Sequence, residues 1–396
     1  MYTKLQGILE TEIAGMKKSG TYKTERVLEG PQGRQVSVRG KKYLNFCSNN
    51  YLGFSGTADM EHASDEATKT WGYGLASVRF ICGTQTIHKE LEQQIAKFVG
   101  QEDAVLYTSC FMANIGLFQT FFTDEDAIIT DELNHASIID AIRLTKSERL
   151  IFKHMDMADL EEKLKATEGK RLRIIATDGV FSMDGDIAPL KAICDLADKY
   201  DALVMVDDAH ATGVLGAKGG GSAQECGVED RVDFITGTFG KALGGAGGAF
   251  TATHKETADY LRNRSRSYLF SNALDTAVTG TSLYVVRDYL PKHPEIRERL
   301  WSNTKYFREA MRSKGFAVPD AGHPITPIML GDEKKAVDMA AELFKEGIYV
   351  IGFAFPVVPK GKARIRVQVS AAHTEADIKF AVEKFALVGK KFKVIG

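Results

Sequence analysis

One lysine gathers the chemistry of this chain. Lys241 stands in the run Thr236-Gly237-Thr238-Phe239-Gly240-Lys241-Ala242-Leu243-Gly244-Gly245-Ala246-Gly247-Gly248 and is its only cation. Residues 233–236 and 247–252 read as short strands on either side, which puts the lysine on a tight connection between them. Glycines let the backbone turn sharply and approach a bound molecule, and the threonine hydroxyls can hydrogen-bond an anion such as a phosphate. An amine desolvated at such a place loses its proton near neutral pH and can form a Schiff base with an aldehyde. Taken alone, the run serves as well for a flexible turn with one solvated lysine, so residues elsewhere must decide.

Upstream of it, strand-like and helix-like segments alternate. Strands are expected at 103–107, 126–130, 149–153, 172–177 and 202–206, with helices at 112–122, 135–145, 157–168 and 189–200. The strands are short and apolar, as when helices cover both faces, and the pattern predicts an α/β domain with a mostly parallel sheet. Ligands of such sheets bind outside the carboxyl ends of the strands. Ser109, Cys110 and Phe111 stand at the first of these ends, where the N–H groups opening a helix make a phosphate cradle. His135 follows the second, Ser182 the fourth, and Asp207 and His210 the fifth. Polar groups of complementary type that recur where the strands of one sheet stop are how a shared site is built.

The rest of the composition narrows the function. At 396 residues the chain has room for two domains. Lys+Arg of 51 against Asp+Glu of 52 gives no electrostatic case for nucleic acid or an anionic membrane as partner. The five cysteines, Cys47, Cys82, Cys110, Cys194 and Cys226, form no CxxC pair. That argues against a disulfide framework or a structural metal and for a reducing compartment. With no long apolar run and no transit-like N-terminus, a cytoplasmic location is expected; the mitochondrial matrix is the alternative if a transit peptide has been removed.

At the start of the chain, Leu5, Ile8, Leu9 and Ile13 make residues 2–18 an amphipathic helix, closed by Gly20, whose apolar face must rest on something. Short strands at 34–39 and 42–46 precede a polar loop containing Asn49. Helices near 58–70 and from His88 flank a glycine-punctuated loop at 72–85. Beyond the lysine, Arg262, Arg264 and Arg266 form a basic cluster ahead of Ser271 and Asn272. Helices at 275–289, 295–314, 332–346 and 375–392 and strands at 326–330, 348–352 and 363–368 complete an α+β region. Three segments result: 1–50 with an N-terminal helix and short strands, 51–285 as the large α/β domain, and 286–396 as a smaller α+β domain. Arg364 and Arg366 share one face of the last strand. An arginine aimed from there into the cleft would grip a carboxylate with two hydrogen bonds.

A Schiff-base lysine, a carboxylate, a histidine and a phosphate cradle are the parts needed to hold pyridoxal 5'-phosphate, an electron sink that the protein must place and tune. Asp207 is expected against the pyridine nitrogen, His135 over the ring face, Ser182 and His210 at the ring oxygen, and Thr238 at the phosphate.

Asp207-Asp208-Ala209-His210, followed by Thr238-Phe239-Gly240-Lys241-Ala242-Leu243-Gly244-Gly245, resembles the α-oxoamine synthase family of fold-type I pyridoxal phosphate enzymes. Ser182-Met183-Asp184-Gly185-Asp186 and Leu133-Asn134-His135-Ala136-Ser137 look like the same family, and the likeness runs from Asn49 to Thr374. It implies an aspartate aminotransferase-like fold. The runs 77–85, 268–272 and 356–361 are similar to members that join glycine and acetyl-CoA into 2-amino-3-oxobutanoate and CoA, a reaction run toward glycine in threonine breakdown.

That resemblance implies Lys241 as covalent anchor and then general base, and Asn49 and Arg366 on the substrate carboxylate with His135 and Ser182 alongside. It implies His210 assisting at the thioester carbonyl, and Ser271 and Asn272 reaching the phosphate held by the other subunit of a homodimer. It also suggests a functional link to a threonine dehydrogenase. The basic cluster at 262–266 is a candidate for the CoA phosphates. The alternative is a member using a longer acyl-CoA, such as an 8-amino-7-oxononanoate synthase. A silent partner subunit is expected to lack the lysine, which is present here, and no GxGxxG after a first strand supports a nicotinamide enzyme.

Overall fold

The computed structural model describes residues 1–19 and 21–396; Gly20, expected to close the first helix, lies outside the described residues. The chain opens with α1 (Tyr2–Ser19), the hairpin β1 (Gln35–Val38) and β2 (Lys41–Asn45), and helices α2 (Ala58–Trp71) and α3 (Thr86–Val99). The alternating run follows: β3 (Asp103–Tyr107), α4 (Cys110–Phe121), β4 (Ala127–Asp131), α5 (Ala136–Arg143), β5 (Glu148–Phe152), α6 (Met157–Ala166), β6 (Arg173–Asp178), α7 (Leu190–Tyr200) and β7 (Leu203–Asp207). Next come α8 (Ser222–Cys226), β8 (Phe234–Thr238), β9 (Ala249–Thr253), α9 (Lys255–Arg264), α10 (Arg266–Leu269) and α11 (Thr276–Tyr284). The last part holds α12 (Glu295–Ser313), β10 (Ile325–Gly331), α13 (Glu333–Lys345), β11 (Ile348–Tyr349), β12 (Ile351–Phe353), β13 (Ala363–Gln368) and α14 (Glu375–Lys391).

The large sheet has the order β3-β9-β8-β7-β6-β4-β5. Its strands from β8 to β5 are parallel, and β9 alone runs antiparallel to both neighbours. Parallel strands need helices on both faces, and β4 is buried along its whole length, as its unbroken Ala-Ile-Ile-Thr-Asp composition requires. Because β8 and β9 are antiparallel neighbours, they are joined by a loop rather than a crossover helix, and that loop emerges at the carboxyl end of β8, the ligand side of the sheet.

A second core forms around the antiparallel sheet β10-β13-β12, where Ile328, Met339, Leu343, Ile365, Val367 and Phe385 meet. Leu44 and Phe46, from the start of the chain, are part of this second core, and β2 pairs with β11 in parallel. Val285, Leu290, Ile296 and Leu300 still pack into the core of the large sheet.

α1 is the helix that the periodicity predicts, yet none of its residues is buried, and Leu5, Ile8, Leu9 and Ile13 are all exposed. The surface on which its apolar face was expected to rest is absent from this chain among the described residues. None of the helices described is long and apolar enough to cross a membrane.

Candidate active site

The loop at 239–248 is braced from within. Phe239 donates its N–H to Gly248 at 3.0 Å, and Gly245 donates to Phe239 at 3.1 Å. Gly248 sits at φ +118°, a left-handed conformation that a side chain would strain, and a Cβ at Gly245 would meet Ser55 Oγ at 2.0 Å. Thr238 Oγ1 donates to the Gly248 carbonyl at 2.9 Å and accepts from Gly240 N at 3.0 Å. The hydroxyl expected at the phosphate is therefore turned inward and holds the lysine loop, because its single hydrogen is already committed. Burial lowers the pKa of the Lys241 amine, and the acidic groups Asp207, Cys110 and Asp178 work against that shift.

Asp207 ends β7 at 3% exposure, in register with Asp178 of β6. Its Oδ1 accepts from Ala209 N at 3.0 Å, its Oδ2 accepts from Asn114 Nδ2 at 2.8 Å, and the Cys110 thiol lies 3.6 Å from Oδ2. All of these donors are neutral. A buried carboxylate so placed calls for a cation, and a protonated pyridine nitrogen is one of suitable shape. Two more polar atoms nearby, Asn114 Oδ1 and Thr236 Oγ1, are buried without a partner. The residues present therefore fit pyridoxal phosphate. Asp208 is different: it accepts from Ser222 N at 2.8 Å and Ser222 Oγ at 2.5 Å, and burial pushes its pKa up to about 7. Of the two adjacent aspartates, one faces the cleft and the other pins α8.

His135 caps α5, and its backbone N–H donates to Asp178 Oδ2 at 2.7 Å. Burial, followed by the charge of Asp207, raises the Asp178 pKa well above the usual carboxylate range. His210, at 7% exposure, meets the Tyr51 hydroxyl through Nδ1 at 2.8 Å, and its carbonyl contacts His323 Nε2 at 2.8 Å. Burial, and then Lys241, drive its pKa well down, so the ring is neutral. Burial also raises the Tyr51 pKa, which keeps the phenol protonated and so able to donate to His210. Ser109 caps α4 by accepting from Met112 N at 3.3 Å, leaving the N–H groups of Cys110 and Phe111 at the open end of that helix.

The opposite wall comes from β13. Arg364, Arg366 and Gln368 alternate on one face while Ile365 and Val367 enter the second core. Arg366 Nη1 donates to the Ser182 carbonyl at 2.9 Å, its guanidinium lies 5.0 Å from the Phe353 ring centre, and its Nε is buried without a partner. Arg364 donates to the Met183 carbonyl at 3.1 Å and to the Asp184 carboxylate. Gln368 Nε2 donates to Asn49 Oδ1 at 3.0 Å. Arg366 thus meets the Ser182 backbone, and Asn49 meets Gln368 two residues further along the same strand.

The basic cluster divides. Arg262 is tied to Asp103 at 2.7 Å, Asp259 at 2.9 Å and Glu92 at 3.3 Å, so it locks α9 onto the core instead of facing a ligand. Arg264 and Arg266 line, with Lys146, a cavity of about 430 Å³ near the C-terminal end of α4. Ser271 and Asn272 follow α10, where Asn272 bridges Val78; the exposed Phe80, Ile81 and Phe270 belong to these same two loops. Tyr51, Asn114, Ser137, Asp178, His323 and Gln368 were not singled out from the sequence.

The sequence profile described as Aminotransferase class I and II matches residues 41–385. The chain is 54% identical over 397 aligned positions to a 2-amino-3-ketobutyrate coenzyme A ligase of Escherichia coli strain K12, covering 100% of this chain and 98% of the relative. It is 48% identical to an 8-amino-7-oxononanoate synthase of Thermosipho melanesiensis, covering 98% of this chain and 99% of the relative. Among solved structures it superposes on a serine palmitoyltransferase from S. paucimobilis, with bound PLP and myriocin, at a TM-score of 0.92 and 30% identity over 100% of both chains.

Proposed function

The chain belongs to the class I and II aminotransferase family, and on that premise we propose that it is a pyridoxal phosphate-dependent acyltransferase acting on glycine. It condenses glycine with acetyl-CoA to give 2-amino-3-oxobutanoate and CoA, the reaction that fits the name of its relatives at 54% identity over the full chain. The observation that carries the reading is a desolvated lysine sharing a cleft with a buried carboxylate whose donors are all neutral.

Bound here, pyridoxal phosphate supplies an electron sink for negative charge at the glycine α-carbon. Lys241 is the residue to hold its aldehyde carbon. Once released, the amine, with its pKa lowered by burial, is available in neutral form to take a proton from that α-carbon. Asp207 would pair with the ring nitrogen, and His135 would lie against the ring. Arg366, whose Nε has no protein partner, binds the glycine carboxylate, and Asn49 is held beside it by Gln368. His210, fixed through Nδ1 by Tyr51, presents its Nε2–H to an oxygen of the cofactor or the thioester. The N–H groups at the start of α4 receive the phosphate.

A homodimer completes this reading. Phe80, Ile81 and Phe270, exposed at 62%, 69% and 67%, are apolar surface that a second copy would cover, placing Ser271 and Asn272 at its neighbour's site. Operation toward glycine in threonine breakdown, beside a threonine dehydrogenase, is the physiological setting that matches the reaction.

An absorption spectrum of the purified protein tests the cofactor: a near-visible band that shifts on adding glycine and is missing from Lys241→Ala is expected, and no band in the wild type ends the reading. A panel of acyl-CoA donors tests the acyl group, since the 48% identity to an 8-amino-7-oxononanoate synthase makes chain length the live question. Faster thiol release from long-chain donors than from acetyl-CoA would transfer the assignment to that activity.

A further inference from the structure

α4 buries Ala113, Leu117 and Phe118 against the sheet, yet between them it carries Asn114 at 0% exposure. A primary amide in such a place destabilises the fold unless its groups are paired. Nδ2 reaches two acceptors, Asp207 Oδ2 at 2.8 Å and Ser137 Oγ at 2.9 Å. A carboxylate only accepts, so the amide must turn its NH2 toward Asp207, which fixes the flip by chemistry. Ser137 Oγ receives the other hydrogen and has its own to give, and His135 Nδ1 lies 2.7 Å away. The Ser137 backbone N–H, which can only donate, also points at His135 Nδ1, at 3.2 Å. His135 Nδ1 is therefore an acceptor, and the imidazole proton resides on Nε2. Every link in the chain from Asp207 to His135 has a definite direction.

We propose that Asn114 is a positioning residue that couples the two sides of the cofactor ring: it aims the Asp207 carboxylate and, through Ser137, holds His135 as the neutral Nε2–H tautomer. What Asp207 and His135 touch rests on the pyridoxal phosphate reading; the direction of the hydrogen bonds does not. Asn114 Oδ1 is buried without a partner. Packing alone would favour an apolar side chain here, so the amide is explained by what its two N–H groups do. Without Asn114 the Ser137 hydroxyl could accept from His135 Nδ1, with only the 3.2 Å contact from the Ser137 N–H opposing that tautomer, and Asp207 would lose the amide on Oδ2 and keep the Ala209 N–H on Oδ1.

Three variants of the full chain, with and without cofactor, test this. In cofactor-free wild-type protein labelled with 15N-histidine, His135 should show the Nε2–H pattern at neutral pH; an Nδ1–H pattern overturns the proposal. Asn114→Leu keeps the branching of the side chain but loses both donors, and the dissociation constant for pyridoxal phosphate should rise about 10- to 100-fold, the size of one hydrogen bond to a charged group. The glycine KM of its cofactor-saturated form should stay within about threefold, because nothing in the chain reaches Arg366.

Asn114→Asp reverses the polarity: Ser137 must then donate to the new carboxylate, and its oxygen becomes an acceptor for His135. The His135 pKa should rise by about one unit or more. Wild-type cofactor affinity in Asn114→Leu, or unchanged titration of His135 in Asn114→Asp, refutes the coupling. If Asn114→Asp does not fold, Ser137→Ala takes its place. It should loosen His135 toward a mixture of tautomers and leave the cofactor affinity within about threefold of wild type; an unmixed Nε2–H pattern there refutes the link through Ser137. Failure of wild-type protein to take up pyridoxal phosphate sinks the functional reading instead, while the tautomer measurement still stands.

Discussion

The two walls of the cleft are built on different plans. The wall carrying Lys241, Asp207 and His135 comes from neighbouring strand ends of one sheet, and its side chains are tied to one another and to buried backbone. The facing wall is assembled from three separated stretches, Asn49–Tyr51, Ser182–Asp186 and Arg364–Gln368, joined by contacts between the two cores. A cofactor that stays bound through turnover suits the first plan, since a sheet in register sets its side chains without further adjustment. A substrate that enters and leaves suits the second, because interdomain contacts can yield where a sheet cannot. If that division of labour holds, damage to the first wall should appear in cofactor binding and kcat, and damage to the second in KM.

The largest effect is expected at Lys241. Lys241→Arg keeps the charge but not an amine that can be neutral near pH 7, and turnover should fall by roughly 10³-fold or more with the circular dichroism spectrum unchanged. An active Arg variant would overturn the roles given to the lysine. On the same wall, Asp207→Asn should weaken cofactor binding and lower kcat by about 10²-fold or more, with glycine KM in the cofactor-saturated protein little altered. Across the cleft, Arg366→Ala should raise glycine KM by about 10²-fold while cofactor affinity stays at the wild-type value. A cofactor defect in Arg366→Ala, or a pure KM defect in Asp207→Asn, would erase the contrast between the walls.

A smaller effect is expected one shell back, at Arg364. It is nearly fully buried and holds the Met183 carbonyl and the Asp184 carboxylate without facing the cleft. Arg364→Met should loosen the loop that Arg366 also grips, raising glycine KM by about 10-fold and lowering thermal stability. Stability loss without any change in KM would mean that the loop is fixed by other contacts.

The same contrast governs what the sequence reveals. Short apolar strands with polar ends can be read from local pattern, so Asp207, His135, Ser109 and the Lys241 loop are legible together with most of the strands. β9 is read as a strand, but its reversed direction in a sheet expected to be mostly parallel carries no local mark. Arg366 is legible only as one of two arginines on a face, because its meeting with Ser182 depends on how two distant cores dock. Asn114 and Ser137 lie within helices whose periodicity speaks only of packing, and their polar bonds emerge when α4 and α5 cross. The Thr238 hydroxyl was expected at the phosphate, and the fold turns it into the loop, where it joins the Phe239 N–H on the Gly248 carbonyl.

The smallest effect joins the walls through His154. Its Nδ1 lies 3.1 Å from Asp131 Oδ1 at the end of β4, and its Nε2, buried without a hydrogen-bond partner, lies 3.9 Å from Asp186 in the loop that Arg364 and Arg366 grip. Its backbone N–H donates to Glu132 at 2.9 Å, and its ring meets the Phe181 ring edge-on at 4.3 Å. Burial alone would lower the pKa, but the hydrogen bond to Asp131 and the charges of Asp131 and Asp186 overcome it and bring it up to about 9, from an ordinary value of 6.5. A folded-state pKa above the unfolded one gives stability that is fully present below pH 6.5 and is lost as pH rises through about 9. Screening at this partly open position holds the effect to on the order of 1 kcal/mol, or about 2–4 °C in melting temperature. Wild type should lose that much more than His154→Gln between pH 6.5 and 9.5, and glycine KM should rise over the same range in wild type only. Parallel melting curves would mean that His154 is neutral throughout and that Asp186 is held by the Arg364 side alone.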